Sequence, residues 1–138
     1  MIKATYVSKR DLDSEISEEN GLGVHLIMEF YDCNPNLLEK AEVVEKALLK
    51  AAREAGLTII GVKSHQFNPR GATSMVIVGE SHLSIHSWPE YGFAALDIFV
   101  CGKNPAAKKA AKILIEEFKP GRVEILKMVR GKISNPKG

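Results

Sequence analysis

The segment Phe93–Cys101 is apolar on both of its faces, and this feature restricts the possible folds of the chain more than any other. Side chains alternate between the two faces of an extended strand. One face carries Ala94, Leu96, Ile98 and Val100, and the other carries Phe93, Ala95, Asp97, Phe99 and Cys101. Helices can cover one of these faces, so the other needs a second layer. A sheet from another subunit is the economical cover, and the N-terminal residues are the alternative.

Two helices are predicted, and each is opened by an asparagine that is followed by proline. Asn34-Pro35 begins the first helix, whose apolar residues recur at helical spacing until Gly56 ends it. Asn104-Pro105 begins the second helix, and Pro120-Gly121 ends it. Both helices have one apolar face, which is typical of helices that pack on a sheet.

Extended segments account for most of the remaining chain. They are Val24–Tyr31, Thr58–Phe67, a run from Met75–Val78 carried on through His82–Trp88, then Phe93–Cys101 and Val123–Val129. With the helices, this order predicts an α+β fold: a two-layer sandwich in which a mainly antiparallel sheet carries both helices on one face. Two such chains would pair into a four-layer α/β/β/α dimer. Residues 1–22 are predicted to be a flexible or loosely docked arm, and residues 23–138 a single domain.

Composition excludes several classes of function. The chain has 19 basic and 17 acidic residues and a net charge of +2, so neither a nucleic-acid nor a membrane-surface role is expected. It has no apolar stretch long enough to span a bilayer and no signal peptide, which favours the cytoplasm. Cys33 and Cys101 are too few for a disulfide scaffold, and neither forms a Cys-x-x-Cys pair, so no metal site is expected.

Most chemically reactive side chains fall in the segment Gly79–Gly102, whose sequence is GESHLSIHSWPEYGFAALDIFVCG. Its serine is not in a Gly-x-Ser-x-Gly elbow, which argues against a hydrolase nucleophile. His82 and His86 would lie about 13 Å apart in a strand, at ~3.3 Å per residue, so they cannot chelate one metal ion. His82 is expected to be a strand histidine that hydrogen-bonds to the backbone. Spacing alone leaves the chemistry open.

The same segment strongly resembles the core motif of prokaryotic S-adenosylmethionine decarboxylase proenzymes. The similarity extends from Gly23–Cys33 through Phe67 and Gly71–Ser81 to Cys101-Gly102. It implies that the Ser81 hydroxyl attacks the Glu80 carbonyl and that the chain then parts into residues 1–80 and 81–138. Residue 81 becomes a pyruvoyl group, which replaces pyridoxal phosphate and forms a Schiff base with the substrate amine.

The resemblance also implies roles for other residues. His86 would be the proton acceptor in self-cleavage, assisted by the hydroxyl of Thr73, where family members often have serine. Cys101 would protonate the substrate after carbon dioxide leaves, although a lone cysteine is usually only a small buried side chain. Phe67 would stack on adenine.

The two neighbours of Pro89, Trp88 and Glu90, complete the implied substrate site. Glu90 would bind the ribose hydroxyls, although a carboxylate in a turn is by default only solvated. Trp88 would be a wall of the substrate pocket or part of the core. The implied product is decarboxylated S-adenosylmethionine, the aminopropyl donor of spermidine and polyamine biosynthesis.

Two alternatives remain open. Some relatives of this family decarboxylate arginine, but arginine has neither the adenine nor the ribose that Phe67 and Glu90 would bind. The chain could also be an unprocessed, non-catalytic regulatory paralogue, although Ser81, His86 and Cys101 are all present.

The geometry around the implied cleavage site carries a further prediction. Ser81 and His86 are five residues apart, so they would point to opposite faces of one regular strand. Either the chain bends near Ser81 or backbone strain at this residue is part of the self-cleavage mechanism.

Overall fold

The computed structural model describes residues 2–13, 21–101 and 105–133. The strands are β1 Ala4–Val7, β2 Gly23–Tyr31, β3 Ile59–Gln66, β4 Ala72–Val78, β5 Ser81–Trp88, β6 Phe93–Cys101 and β7 Arg122–Arg130. The helices are α1 Ala41–Glu54 and α2 Ala106–Phe118, with short 3-10 turns at Lys9–Asp13, Pro35–Leu37 and Pro89–Tyr91. The proposed helix cap at Asn104 and the motif residue Gly102 lie outside the described residues.

The strands form one seven-stranded sheet in the order β1-β7-β2-β6-β5-β4-β3. Each pairing between neighbouring strands in the described ranges is antiparallel. Both helices pack on the same face of the sheet, α1 over β3, β4 and β5, and α2 over β6 and β2. The predicted two-layer α+β sandwich is therefore confirmed. No helix in the described part of the chain is long and apolar enough to cross a membrane.

Strand β6 has the bounds that the sequence predicts, and it lies at the centre of the sheet. Its predicted helix-facing residues are the buried ones, with Leu96 only 3% exposed and Ile98 fully buried. On the face opposite the helices, called the open face here, large apolar side chains remain exposed, among them Met75 at 41% and Ile77 at 50%.

The described part of the N-terminal arm does not cover the open face. The arm contains strand β1, which the sequence analysis did not predict and which extends the sheet edge by pairing with β7. The 3-10 turn that follows contacts α2, and its Leu12 is buried in the core on the helix side. The open face therefore still needs cover from outside the described chain.

Two predicted elements differ in the structure. Helix α1 begins at Ala41 rather than at Pro35, because Pro35–Leu37 forms a 3-10 turn and Lys40 is still extended. The Asn34 side chain caps that short turn by accepting a hydrogen bond from the Asn36 backbone N–H at 3.0 Å. The predicted end of α1 is confirmed, since Gly56 has a φ of +82°.

The second difference creates the site described below. The run predicted from Met75 through Trp88 is not continuous but is a hairpin, in which Val78 of β4 pairs with Ser81 of β5. The two residues between them, Gly79 and Glu80, form the turn. A two-residue loop containing glycine is a common hairpin connection.

Candidate active site

Ser81 is the first residue of β5 and has an unusual backbone. Its φ is +145°, whereas an antiparallel strand has a φ near −140°. Residues with a side chain rarely adopt this conformation, which costs about 1–3 kcal/mol when the surroundings enforce it. The predicted departure from regular geometry at Ser81 is confirmed, and the unusual rotation is about the N–Cα bond of Ser81, next to the Glu80–Ser81 peptide bond.

The peptide group before Ser81 is held by hydrogen bonds from both sides of the hairpin. The Glu80 carbonyl oxygen accepts a hydrogen bond from the Cys101 backbone N–H at 2.8 Å. The Glu80 carboxylate accepts hydrogen bonds from Thr58, at 3.0 Å from the backbone N–H and 3.2 Å from the hydroxyl. A carbonyl that already accepts an N–H is polarised towards attack by a neighbouring hydroxyl.

Thr73 and His86 form a hydrogen-bonded pair on the open face. They are directly opposite each other on β4 and β5, and the Thr73 hydroxyl lies 3.0 Å from His86 Nδ1. When His86 Nδ1–H donates to the Thr73 oxygen, this contact fixes the orientation of the imidazole ring and leaves Nε2 available to accept a proton. The Thr73 hydroxyl therefore contacts the His86 ring, and its predicted role in assisting self-cleavage stays a prediction.

Of the three residues expected to contact substrate, Trp88 lies beside that pair, with its ring centroid 6.5 Å from that of His86. Phe67 and Trp88 are 46% and 42% exposed, and Glu90 is exposed in the 3-10 turn after β5. Gly71 lies between the two strand ends, where the Phe67 N–H donates to its carbonyl at 2.8 Å. The φ of Gly71 is +97°, and a Cβ there would lie 3.0 Å from the Ser87 carbonyl oxygen. Position 71 therefore favours glycine.

The site residues fall into two groups at opposite ends of β5. The first group surrounds the cleavage site and contains Glu80, Ser81 and Cys101, whose strand β6 ends beside Ser81. The second group contains Phe67, Thr73, His86, Trp88 and Glu90. Ser81 and His86 are separated by about 16 Å along the strand, at ~3.3 Å per residue, and neither side chain can close that gap. One chain does not bring the expected catalytic residues together.

A polar network that was not predicted from the sequence occupies the open face between the two groups. Asp97 Oδ2 accepts hydrogen bonds from His25 Nε2 at 2.8 Å and His82 Nε2 at 2.9 Å, and its Oδ1 accepts one from the Ser84 hydroxyl. His82 thus bonds to a side chain, so the expectation that the backbone satisfies it was wrong. The signal available in the sequence was a lone aspartate on an otherwise apolar face of β6.

This network favours hydrogen bonding over metal binding. The donor atoms of His25, His82 and Asp97 lie within 4.8 Å of one another, which is close enough for one ion. However, Arg130 Nη1 lies 3.2 Å from His25 Nδ1 and can only donate to it. The proton of His25 is then on Nε2, the atom that a metal would need, and it is donated to Asp97.

Asp97 should contribute measurably to stability. Burial alone would raise its pKa, but hydrogen bonds from His25, Ser84 and His82 outweigh burial and lower it. We expect Asp97→Asn to destabilise the protein by about 1–3 kcal/mol at neutral pH, because the histidine donors lose a charged acceptor.

The pH dependence of this effect follows from the lowered pKa. A carboxylate with a depressed pKa stabilises the folded state above its unfolded pKa of about 3.9, and this contribution is lost as pH falls through the lower folded value. Urea unfolding of both proteins from pH 7 downwards should show a constant difference above about pH 5 and a shrinking one below pH 4. A difference that stays constant to the lowest pH would contradict the assignment.

The two cysteines have different environments. Both are free thiols, with Cys101 exposed beside the cleavage site and Cys33 buried. Burial, together with the neighbouring Asp32 charge, raises the pKa of the Cys33 thiol to about 11. A thiol with this pKa stays protonated at neutral pH, which agrees with the packing role expected for Cys33.

Comparison with known proteins identifies the family. The sequence profile of "S-adenosylmethionine decarboxylase" matches residues 24–131, more than half of the chain. The chain is 47% identical over 114 residues to an S-adenosylmethionine decarboxylase proenzyme of Thermodesulfovibrio yellowstonii, covering 83% of this chain and 84% of that protein. It is 45% identical over 111 residues to the Thermosipho melanesiensis proenzyme, covering 80% and 85%.

A solved structure gives the same result. The crystal structure of the adenosylmethionine decarboxylase from Aquifex aeolicus superposes with a TM-score of 0.81 at 32% sequence identity. The match covers 87% of this chain and 98% of that one. The matched part of the chain includes the strained serine, the threonine–histidine pair and the exposed cysteine. This chain belongs to the S-adenosylmethionine decarboxylase family.

Proposed function

We propose that this chain is the precursor of a pyruvoyl-dependent S-adenosylmethionine decarboxylase and that it cleaves itself between Glu80 and Ser81. One observation carries the proposal: a strained serine directly follows a carbonyl whose oxygen is held by the Cys101 backbone N–H. The chain is similar to proteins that are named proenzymes, which supports processing of a precursor.

The proposed cleavage uses only atoms of the chain and one water molecule. Ser81 Oγ attacks the Glu80 carbonyl carbon while the Cys101 N–H stabilises the oxyanion, and the peptide C–N bond breaks as its nitrogen gains a proton. The resulting ester loses the Ser81 Cα proton to a base, and the Cβ–O bond breaks. Glu80 leaves as a carboxylate and residue 81 becomes dehydroalanine, whose imine tautomer adds water and releases ammonia to give the ketone.

The base for this sequence comes from a second copy of the chain. His86 is about 16 Å from Ser81 of its own strand, at ~3.3 Å per residue, so it serves a Ser81 elsewhere. The open face is apolar at its edges, exposed and uncovered by the described part of the arm. Two open faces related by a two-fold axis would place the cleavage site of each protomer over the Thr73–His86 pair of the other. This arrangement is the four-layer α/β/β/α homodimer.

The pyruvoyl group fits at residue 81, because Ser81 supplies all three of its carbon atoms. This residue pairs with β6, the strand that ends at Cys101. When present, the ketone supplies an electron sink for the loss of carbon dioxide from an amino acid. Cys101, exposed and a free thiol, then delivers a proton to the substrate α-carbon.

The substrate is held by the second group of residues. Phe67 and Trp88 present exposed aromatic rings, which suit both adenine and a sulfonium cation. Glu90 is exposed beside Trp88 and supplies a carboxylate for ribose hydroxyls. These features favour S-adenosylmethionine over arginine. Both thiols are unbridged, and the chemistry needs Cys101 reduced, so we also propose the cytoplasm as its compartment.

Denaturing mass spectrometry of the purified protein tests the proposal. Two fragments, residues 1–80 and 81–138, should appear, the second with a mass that fits an N-terminal pyruvoyl group. Ser81→Ala should leave the chain intact and abolish activity, because no hydroxyl remains to attack. Release of labelled carbon dioxide from S-adenosylmethionine, but not from arginine, should follow cleavage. A wild-type chain that stays intact after long incubation would contradict the proposal.

A further inference from the structure

The Glu80 side chain is anchored at the edge of the sheet by one residue, Thr58. Both oxygens of the carboxylate are used, Oε1 by the Thr58 backbone N–H at 3.0 Å and Oε2 by the Thr58 hydroxyl at 3.2 Å. The Thr58 carbonyl in turn accepts the Gly79 N–H at 2.7 Å. Three hydrogen bonds therefore join Thr58 to the two residues of the hairpin turn.

We propose that Thr58 is a positioning residue for self-cleavage, acting through the Glu80 carboxylate to hold the scissile peptide in its reactive conformation. This inference rests on the proposed function and adds a residue that lies outside both groups described above. The resemblance assigns Thr58 no role. Local spacing does not indicate one either, because Thr58 lies 22 positions before Glu80.

The position of Thr58 in the sheet explains how it can act. The β3–β4 ladder ends at the pair Ile59 and Val78, so Thr58 is the first residue beyond the paired strands. There the Glu80 side chain takes the place that a strand backbone would otherwise occupy. On the opposite flank, the Cys101 N–H holds the Glu80 carbonyl at 2.8 Å. Glu80 is thus fixed by its side chain on one flank and by its carbonyl on the other.

Holding Glu80 by both its side chain and its carbonyl can maintain the strained backbone of Ser81. The positive φ of Ser81 is unfavourable for a residue with a side chain, and it persists only where neighbouring contacts enforce it. If the Glu80 side chain were released, rotation at the turn could relax Ser81 and move the carbonyl away from the hydroxyl. The hydrogen bond from the Thr58 backbone, with the Thr58 hydroxyl, lowers the pKa of Glu80, so the anchor is charged at neutral pH.

A double-mutant cycle on the cleavage rate tests the inference in the full-length chain. Precursors made by pulsed cell-free synthesis are followed by denaturing electrophoresis for wild type, Thr58→Val, Glu80→Ala and the double variant. We expect Thr58→Val to slow cleavage several-fold and Glu80→Ala about tenfold or more, since misplacement of reacting atoms costs rates of this order. The double variant should be no slower than Glu80→Ala, because Thr58 acts through that carboxylate.

Two further measurements separate positioning from general stability. Thr58→Ser keeps the hydroxyl and should cleave at nearly the wild-type rate, whereas a purely structural role of the β-branched shape would slow Thr58→Ser and spare Thr58→Val. Once Thr58→Val is fully cleaved, its turnover per pyruvoyl group should equal that of wild type. Equal slowing by Thr58→Val and Thr58→Ser, additive effects in the cycle, or a matching loss of turnover would each overturn the inference.

The outcome for wild type distinguishes this inference from the proposed function. A wild-type precursor that never cleaves would overturn both. Normal wild-type cleavage together with an unchanged rate in Thr58→Val and Glu80→Ala would overturn the role of Thr58 alone.

Discussion

Two variants that fail to cleave themselves, Ser81→Ala and His86→Ala, should recover self-cleavage when they are produced together. Each variant keeps the group that the other lacks. Ser81 and His86 lie at opposite ends of β5, and in the proposed dimer they serve different protomers. In a mixed dimer, the intact Thr73–His86 pair of the Ser81→Ala chain faces the intact Ser81 of the His86→Ala chain. That chain alone should be cut.

The expected size of the effect is large. Removing a positioned base costs on the order of 10²–10⁴ in rate, so His86→Ala alone should stay essentially uncut on the time scale of wild-type processing. If chains pair at random in equal amounts, about half of the His86→Ala chains lie in mixed dimers and can be cut.

Chains with different affinity tags allow the products to be assigned by denaturing mass spectrometry. His86→Ala produced with the double variant Ser81→Ala/His86→Ala is the matched control: Ser81 is intact in one chain, but neither chain has His86, so no fragments should appear. The shared site is refuted if His86→Ala cleaves alone at the wild-type rate. It is also refuted if mixed dimers are isolated through both tags and remain intact.

Local sequence patterns predicted the features that are determined by residues close together in the chain. The alternation in Phe93–Cys101 gave the bounds of β6 and its buried face, and Gly56 gave the end of α1. The start of α1 was misplaced, because Asn34 and Pro35 fit a 3-10 turn as well as an α-helix at the level of local pattern.

Contacts between positions far apart in the chain could not be predicted from local patterns. The bond from the Cys101 N–H to the Glu80 carbonyl and the anchor at Thr58 exist only because β3 and β6 flank one hairpin. Strand order is set by the whole core and is not encoded in any one segment. The Asp97 network was missed for the same reason, since its two histidines come from β2 and β5.

The resemblance to a family supplied residue roles but not their arrangement. Ser81, His86 and Cys101 lie within one short segment, which suggests a single cluster. The structure instead places Cys101 beside Ser81 and His86 at the other end of the strand. The hairpin that divides Met75 from Trp88 produces this separation, and the proposal of a shared site rests on it.

Cys101→Ala should separate self-cleavage from decarboxylation. The hydrogen bond to the Glu80 carbonyl comes from the backbone N–H of residue 101, which alanine keeps, so cleavage should proceed near the wild-type rate. Turnover should fall by about 10²–10⁴, because the thiol that we propose as the proton donor to the substrate α-carbon is gone.

Cleavage is measured by denaturing mass spectrometry, and turnover by labelled carbon dioxide released from S-adenosylmethionine per cleaved chain. Cys33→Ala is the matched control, because its buried thiol is held protonated by a pKa of about 11 and lies outside the proposed chemistry. That variant should lose some stability and keep its turnover. If Cys101→Ala turns over as fast as wild type, the thiol is not the proton donor. If it fails to cleave, the side chain and not only the backbone of residue 101 takes part in building the cofactor.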